Sequence, residues 1–241
     1  MLVRGAILPH APLLIGPHRG NALRAATRTR EAVAALRLTD GAPCIAVLSS
    51  HGRVTSVYEA GHGSLRDFGI DSADLDVAVD RGLTEELASA WHEPLDGSGL
   101  DHGIVVPLTL LEGVRTVVAA TVAEDLPVRT AIEQGRSFAR ALAACSAPIA
   151  FVASAHTGAA LSPRAPLGLR EQATDVEQRL LDHLSEGTGH GDSILEDLAL
   201  VGGSCGAAPL AAFIELFAGR ATVHSYGAPY GVGYLVATAE P

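Results

Sequence analysis

The feature that most constrains this chain is the rhythm of its apolar residues, in which short aliphatic runs recur with longer helical patterns between them. Leu2–Leu8, Pro43–Ser49, Leu75–Val79, Thr116–Val122 and Ile149–Ala153 read as strands. Helical spacing fills the stretches from Pro17 to about Arg37, Thr84–Trp91, Val128–Ala144 and Leu169–Leu184. A last pair of runs, Ala221–Tyr226 and Gly231–Thr238, is separated by the turn residues Gly227–Pro229 and reads as an antiparallel hairpin. Strands alternating with helices bury both sheet faces, so the expected fold is α/β, a three-layer α/β/α sheet. No repeat, low-complexity tract or linker interrupts the pattern, and residues 1–241 are expected to form a single domain. A chain of this size should leave about 10,000 Å² exposed, roughly 30% of its extended surface.

Charge narrows the function classes. The 17 basic residues are all arginine and face 27 acidic ones, a net charge of −10. A surface this acidic repels phosphate backbones, which argues against nucleic-acid binding. The lack of lysine removes Schiff-base chemistry and the P-loop lysine. Cys44, Cys145 and Cys205 are too few and too scattered for a disulfide framework or a paired-cysteine zinc site, so a reduced, cytoplasmic compartment is expected. No apolar run is long enough to span a membrane, and Pro9 and His10 interrupt the N-terminal one.

Ligands of open α/β sheets gather beyond the carboxyl ends of the strands. Several element ends here carry an imidazole: Leu8-Pro9-His10, Ser49-Ser50-His51 and the turn Asp101-His102-Gly103. Neutral imidazole is the commonest protein metal ligand, and two histidines with an anionic side chain and open positions suit a non-haem Fe(II) oxygenase. The competing reading makes His10 and His51 buried residues bonded to backbone carbonyls, and makes His102 and His156 a cap and a loop residue. His18, His62, His92, His183, His190 and His224 lack any supporting pattern and read as structural. Cys44 and Cys145 read as core, and Glu196 as part of a solvated helix face. Tyr58, Tyr226 and Tyr230 sit in loop-like surroundings where a pocket could be lined.

The segments AILPHAPLLIG, VLSSHG, LDHGIVVPL and ASAHTGAALSPRAPLG, in that order, resemble the class III extradiol dioxygenase (LigB-type) superfamily over nearly the whole chain. The stretch Gly202–Gly219, GGSCGAAPLAAFIELFAG, is similar to the Memo-like branch, where a CG-x-x-P pattern occurs. The resemblance implies a LigB-like fold with His10 and His51 as metal ligands and His102 as a residue that positions substrate or oxygen and handles protons. For the third ligand it implies Cys205, as in the Memo-like branch, or a carboxylate, with Glu215 the alternative. The family's acid/base motif is degraded: matching histidine to histidine selects His156, whereas matching leucine to Leu161 puts Ala159 there.

Two functions follow from that resemblance. One is a metal-dependent extradiol dioxygenase, an oxidoreductase of aromatic catabolism, using non-haem Fe(II) with a small catechol-type aromatic substrate and O₂; His102, with His156, would move protons. The other is a Memo-like metal-binding or interaction protein without ring cleavage, for which Zn or Cu is the expected ion. A homo-oligomer is compatible with either.

Overall fold

The computed structural model describes residues 1–16, 21–187 and 191–241. In chain order its elements are β1 (Leu2–Leu8), α1 (Asn21–Ala34), β2 (Cys44–Gly52), β3 (Ser56–Tyr58), β4 (His62–Leu65), β5 (Ile70–Asp76), β6 (Ala78–Val79), α2 (Arg81–Trp91), β7 (Leu95–Asp96), α3 (His102–Leu110), β8 (Thr116–Ala123), α4 (Val128–Ala144), β9 (Ile149–Ser154), α5 (Ala173–Glu186), α6 (Asp192–Leu200), α7 (Ala207–Phe217), β10 (Thr222–Gly227) and β11 (Tyr234–Ala239). Nine strands form one mixed sheet in the order β10-β11-β1-β9-β2-β8-β3-β7, with β6 paired to β8; β4 and β5 form a separate hairpin.

Strand alternation sends neighbouring residues to opposite faces. On β2, Cys44, Ala46 and Leu48 join one core with Leu87 of α2, Phe138 of α4, Leu180 of α5, Leu195 of α6 and Phe213 of α7. Ile45 and Val47 join the other, with Val33 of α1 and Ile104 and Leu108 of α3. The sheet thus lies between two helical layers, an α/β fold, and exposes 10529 Å². Helices α4 and α7 cross so closely that a Cβ at Gly135 would lie 2.1 Å from the Ala208 carbonyl oxygen. Glycine is what permits that approach.

The centre of the sheet positions the site. Strands β1, β9, β2 and β8 run parallel, with Ala153 opposite both Ile7 and Leu48. Residues far apart in sequence therefore end on one rim.

Several element boundaries differ from the sequence expectation. Helix α1 stops at Ala34 because Arg37 takes a left-handed conformation, φ 47°, in a turn closed by Asp40. Helix α5 begins at Ala173 rather than Leu169. The intervening segment is tied down outside the helix: Arg170 donates to the Leu200 and Val201 carbonyls at 2.7 and 3.1 Å. The run Leu75–Val79 divides at Val77, whose N–H bonds Gly61, so β5 pairs with β4 while β6 joins the main sheet. The C-terminal pair is antiparallel, as β10 and β11.

Candidate metal centre

His10 lies two residues beyond β1, His156 two beyond β9, and His51 near the end of β2. Because these strands are adjacent in the order β1-β9-β2, their imidazoles meet. His102 arrives from the opposite wall as the first residue of α3. That helix is apolar on every side and buried from Gly103 to Leu108, so it packs directly over the sheet. His51 and His102 are half-buried, and His10 is 1% exposed.

A proline inside α3 sets the chemistry of His10. Pro107 has no N–H to give the Gly103 carbonyl four residues earlier. Ser154 Oγ–H donates to that carbonyl instead. With its proton so committed, Ser154 Oγ accepts from His10 Nδ1–H, at 3.0 Å. His10 is thereby held in the Nδ1–H tautomer with a lone pair on Nε2, the state in which imidazole ligates a cation.

That nitrogen faces the other donors. His10 Nε2 lies 2.9 Å from His51 Nε2 and 3.3 Å from Cys205 Sγ. One ligand nitrogen from each of His10, His51 and His102 lies within 4.8 Å of the other two, a group that could hold a metal ion. Donors about 3–4 Å apart are what bonds of ~2.1 Å to one ion require. Ring centroids are 4.6 Å apart for His10 and His51, 4.1 Å for His51 and His102, and 4.0 Å for His10 and His156.

Burial, more than crowding, disfavours the charged imidazoles. Burial, then the nearby histidines, push His102 down to about 4 and His156 down to about 3. The same causes hold His10 well below the usual histidine range, and burial lowers His51 against the opposing pull of Asp101. Neutral rings offer lone pairs, so the donor chemistry fits a divalent cation. Burial pushes the Cys205 thiol up to about 11, so it donates S–H until a cation displaces the proton. His156 Nδ1 is buried and has no hydrogen-bond partner among the described residues.

Sequence reasoning missed the supporting carboxylate. Asp101, the residue before α3, accepts from Ser49 Oγ at 2.6 Å and Tyr58 OH at 3.0 Å through Oδ2, while its Oδ1 is buried without a partner among the described residues. Tyr58 lies on a buried strand rather than in a loop. The available signals were the aspartate preceding His102 and the proline five residues after it.

The structure separates the two sequence candidates for the third anionic ligand. Cys205 adjoins His10 at the edge of the three-histidine group without being a member of it, and Glu215 is remote from both. Glu215 lies near the far end of α7 and faces Arg136 and Arg140 of α4 at 3.9 and 4.0 Å. His102, expected to handle protons, contributes a nitrogen to the three-histidine group itself. Among the remaining histidines, His92 is the left-handed C-cap of α2, His224 bonds Thr238 Oγ1 at 2.7 Å on β10, His62 is exposed on β4 and His183 is buried on α5. His18 and His190 lie outside the described residues. Cys44 and Cys145 are core residues, and Glu196 pairs with Arg129 at 3.0 Å. A cavity of about 770 Å³, lined in part by Arg220, His224 and Glu240, touches none of the clustered histidines.

No protein-family model and no curated protein matches the chain. Its structure is similar to that of uncharacterized protein JW3007 from Escherichia coli K12, with a TM-score of 0.64 and 17% sequence identity over 98% of this chain and 99% of that one. At that identity the likeness shows the α/β fold alone. Among the described residues, no helix is long and apolar enough to cross a membrane.

Proposed function

We propose that this protein is a metal-dependent, extradiol dioxygenase-like protein of the LigB type, acting in the cytoplasm on a catechol-type aromatic substrate with O₂. His10, His51 and a third donor, His102 or Cys205, hold its ion. The observation that carries the reading is the meeting of three neutral imidazole donors within 4.8 Å at the carboxyl rim of a parallel sheet. A divalent ion bound there would supply Lewis acidity toward the substrate's oxygens.

The chain's own residues have separate tasks in this reading. Ser154 keeps the His10 Nε2 lone pair directed into the site. His156, with an unpartnered Nδ1, accepts a hydrogen bond from a substrate hydroxyl and so orients it beside the ion. Asp101, fixed by Ser49 and Tyr58, opposes the effect of burial on His51 and His102 and ties the start of α3 to β2 and β3.

A second reading, a Memo-like metal-binding or interaction protein without ring cleavage, draws support from the donor set. The three-histidine group contains no carboxylate, and Cys205 Sγ lies 3.3 Å from His10 Nε2. Thiolate favours Zn or Cu over Fe(II). Anaerobic purification, elemental analysis and oxygen uptake against a catechol panel test both. Iron with catechol-dependent uptake supports the first; zinc or copper without uptake supports the second. Protein that takes up no metal refutes the first reading and the metal-binding form of the second, and leaves its interaction role alone standing.

A further inference from the structure

Phe68 stands out among the five phenylalanines. Phe138, Phe151, Phe213 and Phe217 are buried, whereas Phe68 is 50% exposed. Its ring nevertheless has a defined neighbour, His102, at a centroid distance of 4.9 Å and a tilt of 54°.

The placement is built into the fold. Phe68 ends a single 3₁₀ turn, Arg66–Phe68, between β4 and β5, and Gly69 closes that turn in a left-handed conformation, φ 71°. On either side, Leu65 and Ile70 are buried in the same core as Ile104 and Val105 of α3. Gly63 lies so close to α3 that a Cβ there would be 2.4 Å from Val105 Cγ2. Leu100 N–H bonds the His62 carbonyl at 2.8 Å. Across the hairpin, Asp74 accepts from Ser64 Oγ at 2.8 Å and pairs with Arg66. The hairpin is thus fastened to the helix that carries His102, and the residues between its two anchors hold Phe68 against His102 with half of its surface exposed.

We propose that Phe68 is a substrate-recognition residue, an aromatic platform on which a planar ring of catechol size stacks while its oxygens face the histidine centre. The proposal rests on the catechol reading above and adds the residue that selects for an aromatic ring. An exposed phenyl face beside a polar centre matches a ligand with one apolar plane and one polar edge.

The test uses 4-nitrocatechol, whose visible spectrum changes on binding, with protein loaded with redox-inert Zn(II). Phe68→Ala is expected to weaken binding about 3–10-fold, the ratio for an aromatic pair of ordinary strength. Phe68→Trp should stay within about twofold of wild type, with zinc content equal in all three proteins. Alanine binding as tight as wild type overturns the proposal. So does loss of zinc in Phe68→Ala, which would make Phe68 a cover for His102. If the wild type takes up no zinc, the metal-centre reading fails separately, and saturation-transfer NMR with phenol on the metal-free protein decides: a signal lost in Phe68→Ala supports the platform, and an equal signal refutes it.

Discussion

Replacing Ser154 by alanine removes one hydroxyl and tests how the centre is prepared. Ser154 is fully buried and joins the Gly103 carbonyl to His10 Nδ1. Its loss strands one acceptor and one donor away from water, at about 1–3 kcal/mol each. Partial repair by a neighbouring group or water makes a total of about 2–4 kcal/mol reasonable, a fall in Tm of roughly 4–16 °C for a chain of this length. The metal effect is separate. Without an acceptor at Nδ1, His10 loses the bond that sets its tautomer and ring orientation, and loss of such a partner typically weakens metal binding about 10–100-fold. Zinc affinity, measured by competition with a chelator of known strength, should fall by that factor, and long-range ¹H–¹⁵N correlations on the wild-type apoprotein should show His10 protonated at Nδ1. Pro107→Ala should act in the same direction on zinc: a new N–H at position 107 competes for Gly103 and releases the serine hydroxyl to donate to His10. Zinc affinity within threefold of wild type in Ser154→Ala, or a His10 protonated at Nε2, would refute this account.

Acid should destabilise the metal-free protein before most carboxylates titrate. His102 and His156 are pushed down to about 4 and about 3 in the fold, against about 6.5 unfolded. Below that value the unfolded chain binds protons that the native chain refuses, so stability is full above pH ~6.5 and falls from there toward the folded values; urea midpoints equal at pH 7 and pH 5 would contradict it. Glu177 has the opposite sign: burial raises its carboxyl, despite donation from Thr157 and Tyr226, so its stabilising contribution is full at low pH and is lost as pH rises through the raised value. Glu177→Gln should therefore gain stability relative to wild type at pH 8 and lose that gain near pH 4, as read from paired thermal melts. Gly135→Ala should cost about 1–3 kcal/mol by forcing α4 and α7 apart, and an unchanged unfolding midpoint would show that the crossing relaxes. Cys205→Ser should weaken zinc or copper binding if the thiol ligates; equal affinity in chelator competition would remove Cys205 from the centre.

Much of the scaffold was legible because long elements carry period. Val128–Ala144 was expected as a helix with the bounds that α4 has, since its apolar face repeats clearly. His10 and His51 were legible for the same reason: each lies at the end of a strand that can be recognised. Helix α3 was not, because it is apolar all round, contains Val105, Val106 and Pro107, and forms under tertiary packing rather than by local preference. With that helix hidden, His102 read as part of a turn: its place beside the pocket was legible from the imidazoles at element ends, but its nitrogen among the donors themselves was not. Ser154 and Asp101 act through contacts between residues tens of positions apart, and no local pattern announces such pairs. Strand β4 is too short to carry a period and only the last residues of β5 fell within an expected strand, which is why the hairpin bearing Phe68 was not legible.

The insertion of β9 between β1 and β2 has a consequence for how the molecule is made. The clustered histidines and Cys205 sit at positions 10, 51, 102, 156 and 205, so the cluster draws on nearly the whole length of the chain. During synthesis, His10 and His51 emerge early but have no shared rim until Ile149–Ser154 slots between their strands. No N-terminal fragment ending before β9 can assemble the cluster as it stands here, and a domain boundary placed between its members would abolish it. Ion uptake by this protein would then serve as a gauge of topological completion, silent in every partly threaded state and appearing only when the central strand is home.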